Sequence, residues 1–152
     1  MENLYDVTII GAGPAGLTSA IYSRRANLKT AVIEFAIAGG KLYSTYEIDN
    51  YPGFQKISGS KLGDELVEHA KKYNADFING KVVSINKNDT IFEITLDTNE
   101  IIKSKTVIVA SGTKEKKLEN HEWICKKMWI QQRNMQRRLG NRWMWGYTAV
   151  CQ

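Results

Sequence analysis

Residues 4–34 read LYDVTIIGAGPAGLTSAIYSRRANLKTAVIE, and the glycines inside that stretch leave few folds open. LYDVTII is a short apolar run rich in β-branched residues, the pattern of a strand buried on both faces. It leads directly into Gly11, Gly13 and Gly16, spaced as GxGxxG, with Pro14 and Ala15 completing the turn. The following residues carry Leu17, Ala20, Ile21 and Arg24 at helical spacing, and KTAVIE then reads as a second strand ending in Glu34. Each glycine has a mechanical reason. Gly11 permits a tight turn, Gly13 lets the backbone approach a pyrophosphate, and Gly16 lets the helix pack close to the strand. The positive end and free N–H groups of that helix suit phosphate. Glu34 is placed to accept hydrogen bonds from both hydroxyls of an adenosine ribose, and an acid there argues against a 2′-phosphate and so against NADP. A glycine turn with no ligand is the plainer alternative. The acid closing the next strand favours dinucleotide binding, and spacing alone does not separate FAD from NAD.

Two further motifs follow: AGGKL (residues 38–42) and YEIDNYPGF (residues 46–54). Together with the first 34 residues they resemble the FAD-binding domain of bacterial low-molecular-weight thioredoxin reductases over about residues 4–118. The resemblance implies an α/β fold, Rossmann-like, with a central parallel sheet and a small antiparallel β-meander. It implies FAD as cofactor, wrapped by Gly39, Gly40, Lys41, Leu42 and Thr45, with Asn50 facing the flavin ring. Lys41 departs from that family, which usually has Gln at this position. The residues themselves agree in part. Long loops within compact domains are usually functional, Gly39-Gly40 opens dihedrals closed to other residues, and Asn50 carries both a donor and an acceptor. Capping a turn before Pro52-Gly53 is the ordinary alternative for Asn50.

SGSKLGDELVEHAKKYNA places Leu62, Leu66, His69, Ala70 and Tyr73 along one stripe, predicting an amphipathic helix that starts near Ser58 or Ser60. His69 sits beside Lys71 and Lys72 and takes no role. KVVSINK, IFEITLD and EIIKSK alternate with a period near two, which predicts an antiparallel meander. TVIVASGT then reads as a separate buried strand of parallel type. The family resemblance implies that the Val83 backbone meets the adenine and that Ala110, Ser111 and Gly112 form a small-residue turn against the FAD. For Ser111 a purely structural turn is an equal reading.

The resemblance also implies NADPH and thioredoxin as partners of a full-length enzyme, through a second glycine motif and a CxxC pair. Neither occurs in these 152 residues. Dithiol exchange needs one thiolate to attack and a second thiol to resolve the mixed disulfide. The expected function is therefore the FAD-binding portion of a thioredoxin-reductase-like flavoprotein disulfide oxidoreductase, truncated and catalytically incomplete alone. The alternatives are a non-catalytic nucleotide-binding or interaction module, and a fragment of a ferredoxin–NADP reductase of related type.

Composition divides the chain near residue 119. Residues 1–120 hold 15 Lys/Arg and 15 Asp/Glu, so the net charge of +5 comes from the last 32 residues. All four tryptophans and both cysteines (Cys125, Cys151) lie there too. Residues 119–152 are expected to be an atypical basic, Trp-rich tail. A shifted reading frame, a genuine basic extension, or a cover for exposed apolar surface, with a homodimer as one form of the last, would each explain it. Basic residues beside aromatics would suit a membrane surface or nucleic acid in the second reading, which ranks below the first, so neither is an expected partner. No signal-like start, membrane-length apolar run or disulfide framework is present, and the cytoplasm is the default location.

Overall fold

The computed structural model describes residues 4–113, and the expected tail at 119–152, with Cys125 and Cys151, lies outside them. The glycine motif folds as its spacing predicts. Strand β1 (Leu4–Ile10) is followed by helix α1 (Pro14–Arg25) and strand β2 (Thr30–Glu34). A short 3₁₀ turn (Gly40–Ser44) precedes helix α2 (Gly59–Lys72), whose N-cap Ser58 accepts a hydrogen bond from the Lys61 N–H at 3.3 Å. Four strands complete the unit: β3 (Asp76–Asn79), β4 (Val82–Asn88), β5 (Ile91–Leu96) and β6 (Ile101–Val109).

The strands form a six-stranded sheet in the order β3-β2-β1-β6-β5-β4. β1 pairs in parallel with β2 and β6, β2 pairs in parallel with β3, and β4–β5–β6 is the antiparallel meander. The fold is α/β, as the sequence predicts. Alternate residues of β2 explain why that strand is apolar throughout. Val32 packs with Val7, Ile9, Leu17, Ala20 and Ile21 against the helices. Ala31 and Ile33 pack on the opposite face with Ile94, Leu96 and Ile102 of the meander. Burial on both faces needs apolar side chains in both directions.

Two features differ from the sequence expectation. EIIKSK and TVIVA are one nine-residue strand, antiparallel to β5 over Ile101–Ser104 and parallel to β1 over Lys103–Val109. No glycine or proline separates the halves. Ser104 is fully buried and its hydroxyl donates to the Thr106 carbonyl at 2.8 Å, so the join needs no turn. Strand β3 has no counterpart among the expected elements. At four residues on a sheet edge it is too short to show a period. No described helix is long and apolar enough to cross a membrane.

Candidate functional site

The chain leaves β1 at Gly11, whose φ of 102° lies in the region that favours glycine. Its N–H donates to the Ile33 carbonyl, and the Ala110 N–H donates to the Ile10 carbonyl, both at 2.8 Å. These bonds bring the carboxyl ends of β1, β2 and β6 together. The strand order reverses at β1, and a parallel sheet with such a reversal forms a ligand crevice there. A Cβ on Gly11 would lie 2.4 Å from the Ala110 carbonyl oxygen, and one on Gly16 would lie 1.9 Å from the Gly11 oxygen. The protein's own backbone therefore demands both glycines. Gly13 is different. Its φ of −76° suits any residue, and a Cβ there would meet nothing within 4 Å. The space above Gly13 is open, at the N-terminus of α1.

That helix end is uncapped. Gly13 offers no side chain, the first turn contains no acid, and Pro14 at the first helical position has no N–H to satisfy. The N–H groups that follow, from Ala15 on, lie at the positive end of the helix dipole. Glu34 reaches the same loop. One carboxylate oxygen accepts from the Ala12 N–H at 2.8 Å, and the other accepts from the N–H groups of Phe35 and Ala36 at 3.0 Å each. A carboxylate has roughly four acceptor positions. Glu34 thus ties β2 to the glycine turn and keeps about one position for an outside hydroxyl.

The second glycine turn closes over the first. Gly39 and Gly40 have φ of 110° and 60°, so consecutive positive dihedrals explain the pair. The Gly39 N–H donates to the Ala12 carbonyl at 2.7 Å, and a Cβ on Gly40 would lie 3.3 Å from the Gly13 Cα. Helix α2 supports this turn from behind. A Cβ on its first residue, Gly59, would fall 2.1 Å from the Leu42 carbonyl oxygen, and the Gly59 N–H donates to the Thr45 carbonyl at 3.1 Å. The Tyr43 hydroxyl donates to Asp64 of α2 at 2.5 Å, which raises the Tyr43 pKa. Lys41 extends across to the third turn, where its Nζ donates to Thr113 Oγ1 at 3.2 Å.

Asn50 lies on an exposed loop pinned by mutual backbone hydrogen bonds of Ile48 and Ile57. The loop turns at Pro52-Gly53, where the Phe54 N–H donates to the Tyr51 carbonyl and Gly53 has a φ of 95°. Gly53 supplies the positive dihedral of such a turn. The Asn50 side chain makes no hydrogen bond among the described residues, so the turn does not depend on it. In the third turn, Ala110 packs on Gly11 and Gly112 adopts a φ of 68°. Ser111 joins Ile10, Gly11, Ile33, Glu34, Phe35, Gly80 and Val82 around a small cleft of about 70 Å³ at the strand ends.

Val83 sits at a β-bulge. Val82 pairs with Leu96 and Ser84 with Thr95, which leaves Val83 without a partner and its side chain 58% exposed. The cleft wall is Val82. Sequence reasoning missed Phe35, Gly80 and Val82 as cleft residues. Their signal is positional: each stands just beyond the end of a strand or just inside the start of one.

The comparisons with known proteins agree with this geometry. The family profile "Pyridine nucleotide-disulphide oxidoreductase" matches residues 5–139, extending past the boundary expected at residue 118. The chain is 42% identical over 117 residues to thioredoxin reductase of Bacillus subtilis (strain 168), covering 77% of this chain and 37% of that one. Thioredoxin reductase from Streptococcus pyogenes MGAS5005 superposes with a TM-score of 0.74 at 38% identity, covering 78% of this chain and 39% of its own. A ferredoxin-flavin thioredoxin reductase from Clostridium acetobutylicum gives a TM-score of 0.70 at 33% identity, over 76% of this chain and 40% of its own. The chain thus spans well under half the length of each of these relatives. With its glycine turns, switch-point crevice and sheet order, the chain belongs to the pyridine nucleotide-disulphide oxidoreductase family.

Proposed function

We propose that the chain is the FAD-binding portion of a thioredoxin-reductase-like flavoprotein. Gly13 carries the reading. It is the one glycine of the fingerprint that no protein atom requires, and it faces open space at an uncapped helix start. A dinucleotide pyrophosphate is the group that makes use of such a position. In this reading Gly11, Gly13, Pro14, Ala15 and Gly16 form the phosphate turn, and Glu34 offers its remaining acceptor position to the ribose. Gly39, Gly40, Lys41, Leu42 and Thr45 form the covering turn, and Asn50 turns its unengaged amide to the flavin. Ala110, Ser111 and Gly112 close the crevice. Val83, out of the ladder at its bulge, presents backbone to the adenine, since a bulged residue is left unpaired.

FAD supplies electron acceptance and donation at its isoalloxazine ring; the chain's own residues bind and orient it. The 152 residues contain no CxxC pair, so they hold no dithiol to carry electrons to a thioredoxin disulfide. Thioredoxin is the partner we assign to a longer protein that includes this portion. Either a pyridine nucleotide or ferredoxin would be its electron source, the latter because one structural relative is a ferredoxin-flavin enzyme. We assign residues 1–118 to the FAD portion and the cytoplasm as location.

The test is direct. Purified apoprotein titrated with FAD should gain flavin absorbance on gel filtration and melt at a higher temperature, as binding to the folded state requires. FMN, which lacks the pyrophosphate linkage and adenosine, should bind much more weakly. No stabilisation at saturating FAD would refute the reading.

A further inference from the structure

The three turns that converge on the crevice span residues 11–16, 38–44 and 110–113, and they contain one basic residue, Lys41. Its place follows from the packing. A Cβ on Gly40 would lie 3.3 Å from the Gly13 Cα, so Lys41 follows a residue that borders the phosphate turn. The Lys41 side chain then spans to Thr113, a residue 72 positions away, joining the second and third turns. Thr113 Oγ1 is a neutral acceptor, and among the described residues no carboxylate pairs with Lys41. An ammonium group carries three donors, of which Thr113 takes one. A full positive charge with unused donors thus links the second and third turns, and the residue before it borders Gly13 at the uncapped start of α1.

Resting on the FAD reading above, we infer that Lys41 is a phosphate ligand of the bound dinucleotide. Its ammonium adds a charge-assisted contact to the pyrophosphate, with Thr113 holding the side chain in position. The backbone cradle offers neutral N–H donors and a partial helix charge, whose salt dependence is weaker than that of a full ammonium charge. An ammonium brings a full charge at a partly exposed site, so its contribution is strongest at low ionic strength.

The experiment compares wild type with Lys41→Gln, Lys41→Arg and Thr113→Val by calorimetric titration of the apoprotein with FAD and with ADP, at low and high salt. Lys41→Gln should weaken both ligands by roughly tenfold at low salt, and the gap to wild type should narrow as salt rises. Lys41→Arg should retain most of the affinity and its salt dependence. Thr113→Val should lose a smaller factor, because the charge remains and only its tether is gone. Melting of the ligand-free variants should match wild type, since Lys41 is exposed and its one bond is to a surface hydroxyl. Equal affinities and equal salt dependence for wild type and Lys41→Gln would overturn the inference. So would a loss for FAD without a loss for ADP, which would place the ammonium at the flavin instead. If wild type binds neither FAD nor ADP, the FAD reading itself fails and takes this inference with it.

Discussion

An alanine at position 13 would put its methyl group into open space, whereas alanine at 11 or 16 would drive a carbon into a backbone oxygen. This difference separates folding from binding within a single motif. Gly11→Ala combines a positive φ with a 2.4 Å approach, and Gly16→Ala requires helix α1 to move off the turn. Each should cost about 3 kcal/mol or more of stability. Gly13→Ala changes only an N-cap preference, so its melting temperature should fall by an amount equivalent to about 1 kcal/mol or less. Its FAD affinity should nevertheless drop at least tenfold, because the methyl group occupies the phosphate position. Thermal melts and FAD titrations of the three variants check this. A Gly13→Ala protein that binds FAD normally would remove the central support for the site. The three glycines were visible in the sequence as one pattern. Their separate roles followed from the motif, but the atoms that enforce the role of Gly11 did not, since they come from Ala110, almost one hundred residues later.

At the scale of elements, β1, α1 and β2 were legible because each carries its signal locally: a β-branched run, a glycine turn with Pro at the first helical position, and helical spacing of small apolar residues. Helix α2 was legible for the same reason, and of the two starts the sequence left open, Ser58 or Ser60, Ser58 is the cap. β6 was misread as two elements because its N-terminal half alternates and its C-terminal half is continuously apolar. Both patterns are real. The strand is half meander and half parallel core, so its surroundings change along its length. Asp6 secures that strand at the point of change. Its carboxylate accepts from Lys105 Nζ of β6 and from the Lys29 N–H just before β2, each at 2.8 Å. The Lys105 hydrogen bond, then the Lys29 backbone bond, lower its pKa below the usual carboxylate value. A group whose folded pKa is depressed contributes stability above its unfolded pKa and loses it as pH falls through the folded value. Asp6→Asn should therefore melt below wild type at neutral pH, with the difference closing below about pH 4. A gap independent of pH would mean that the charge of Asp6 contributes nothing and only its shape matters.

For the whole molecule, the order β3-β2-β1-β6-β5-β4 carries the argument from fold to function. It puts the ends of β1, β2 and β6 side by side, so three glycine turns distant in sequence meet over one crevice. Sequence alone could name those turns through their family resemblance. It could not show that Glu34 is largely engaged by backbone N–H groups, or that Lys41 reaches Thr113, because both depend on how the turns converge. Among the described residues, Leu4 to Thr113, the three turns are held by both apolar cores, the α2 support behind the second turn, and the Ala110–Ile10 hydrogen bond. A chain ending at residue 118 should therefore bind FAD with an affinity within about threefold of the 152-residue chain, a difference of less than 1 kcal/mol. The truncated chain should also fall from a net charge of +5 to +1, because residues 119–152 hold 6 Lys/Arg against 2 Asp/Glu, and with that charge it should lose most of any retention on an anionic column. A tenfold or greater loss of FAD affinity on truncation would show that residues 119–152 belong to the cofactor domain, and the boundary would move toward the C-terminus. Unchanged affinity would confine FAD recognition to the three turns and the sheet that aligns them.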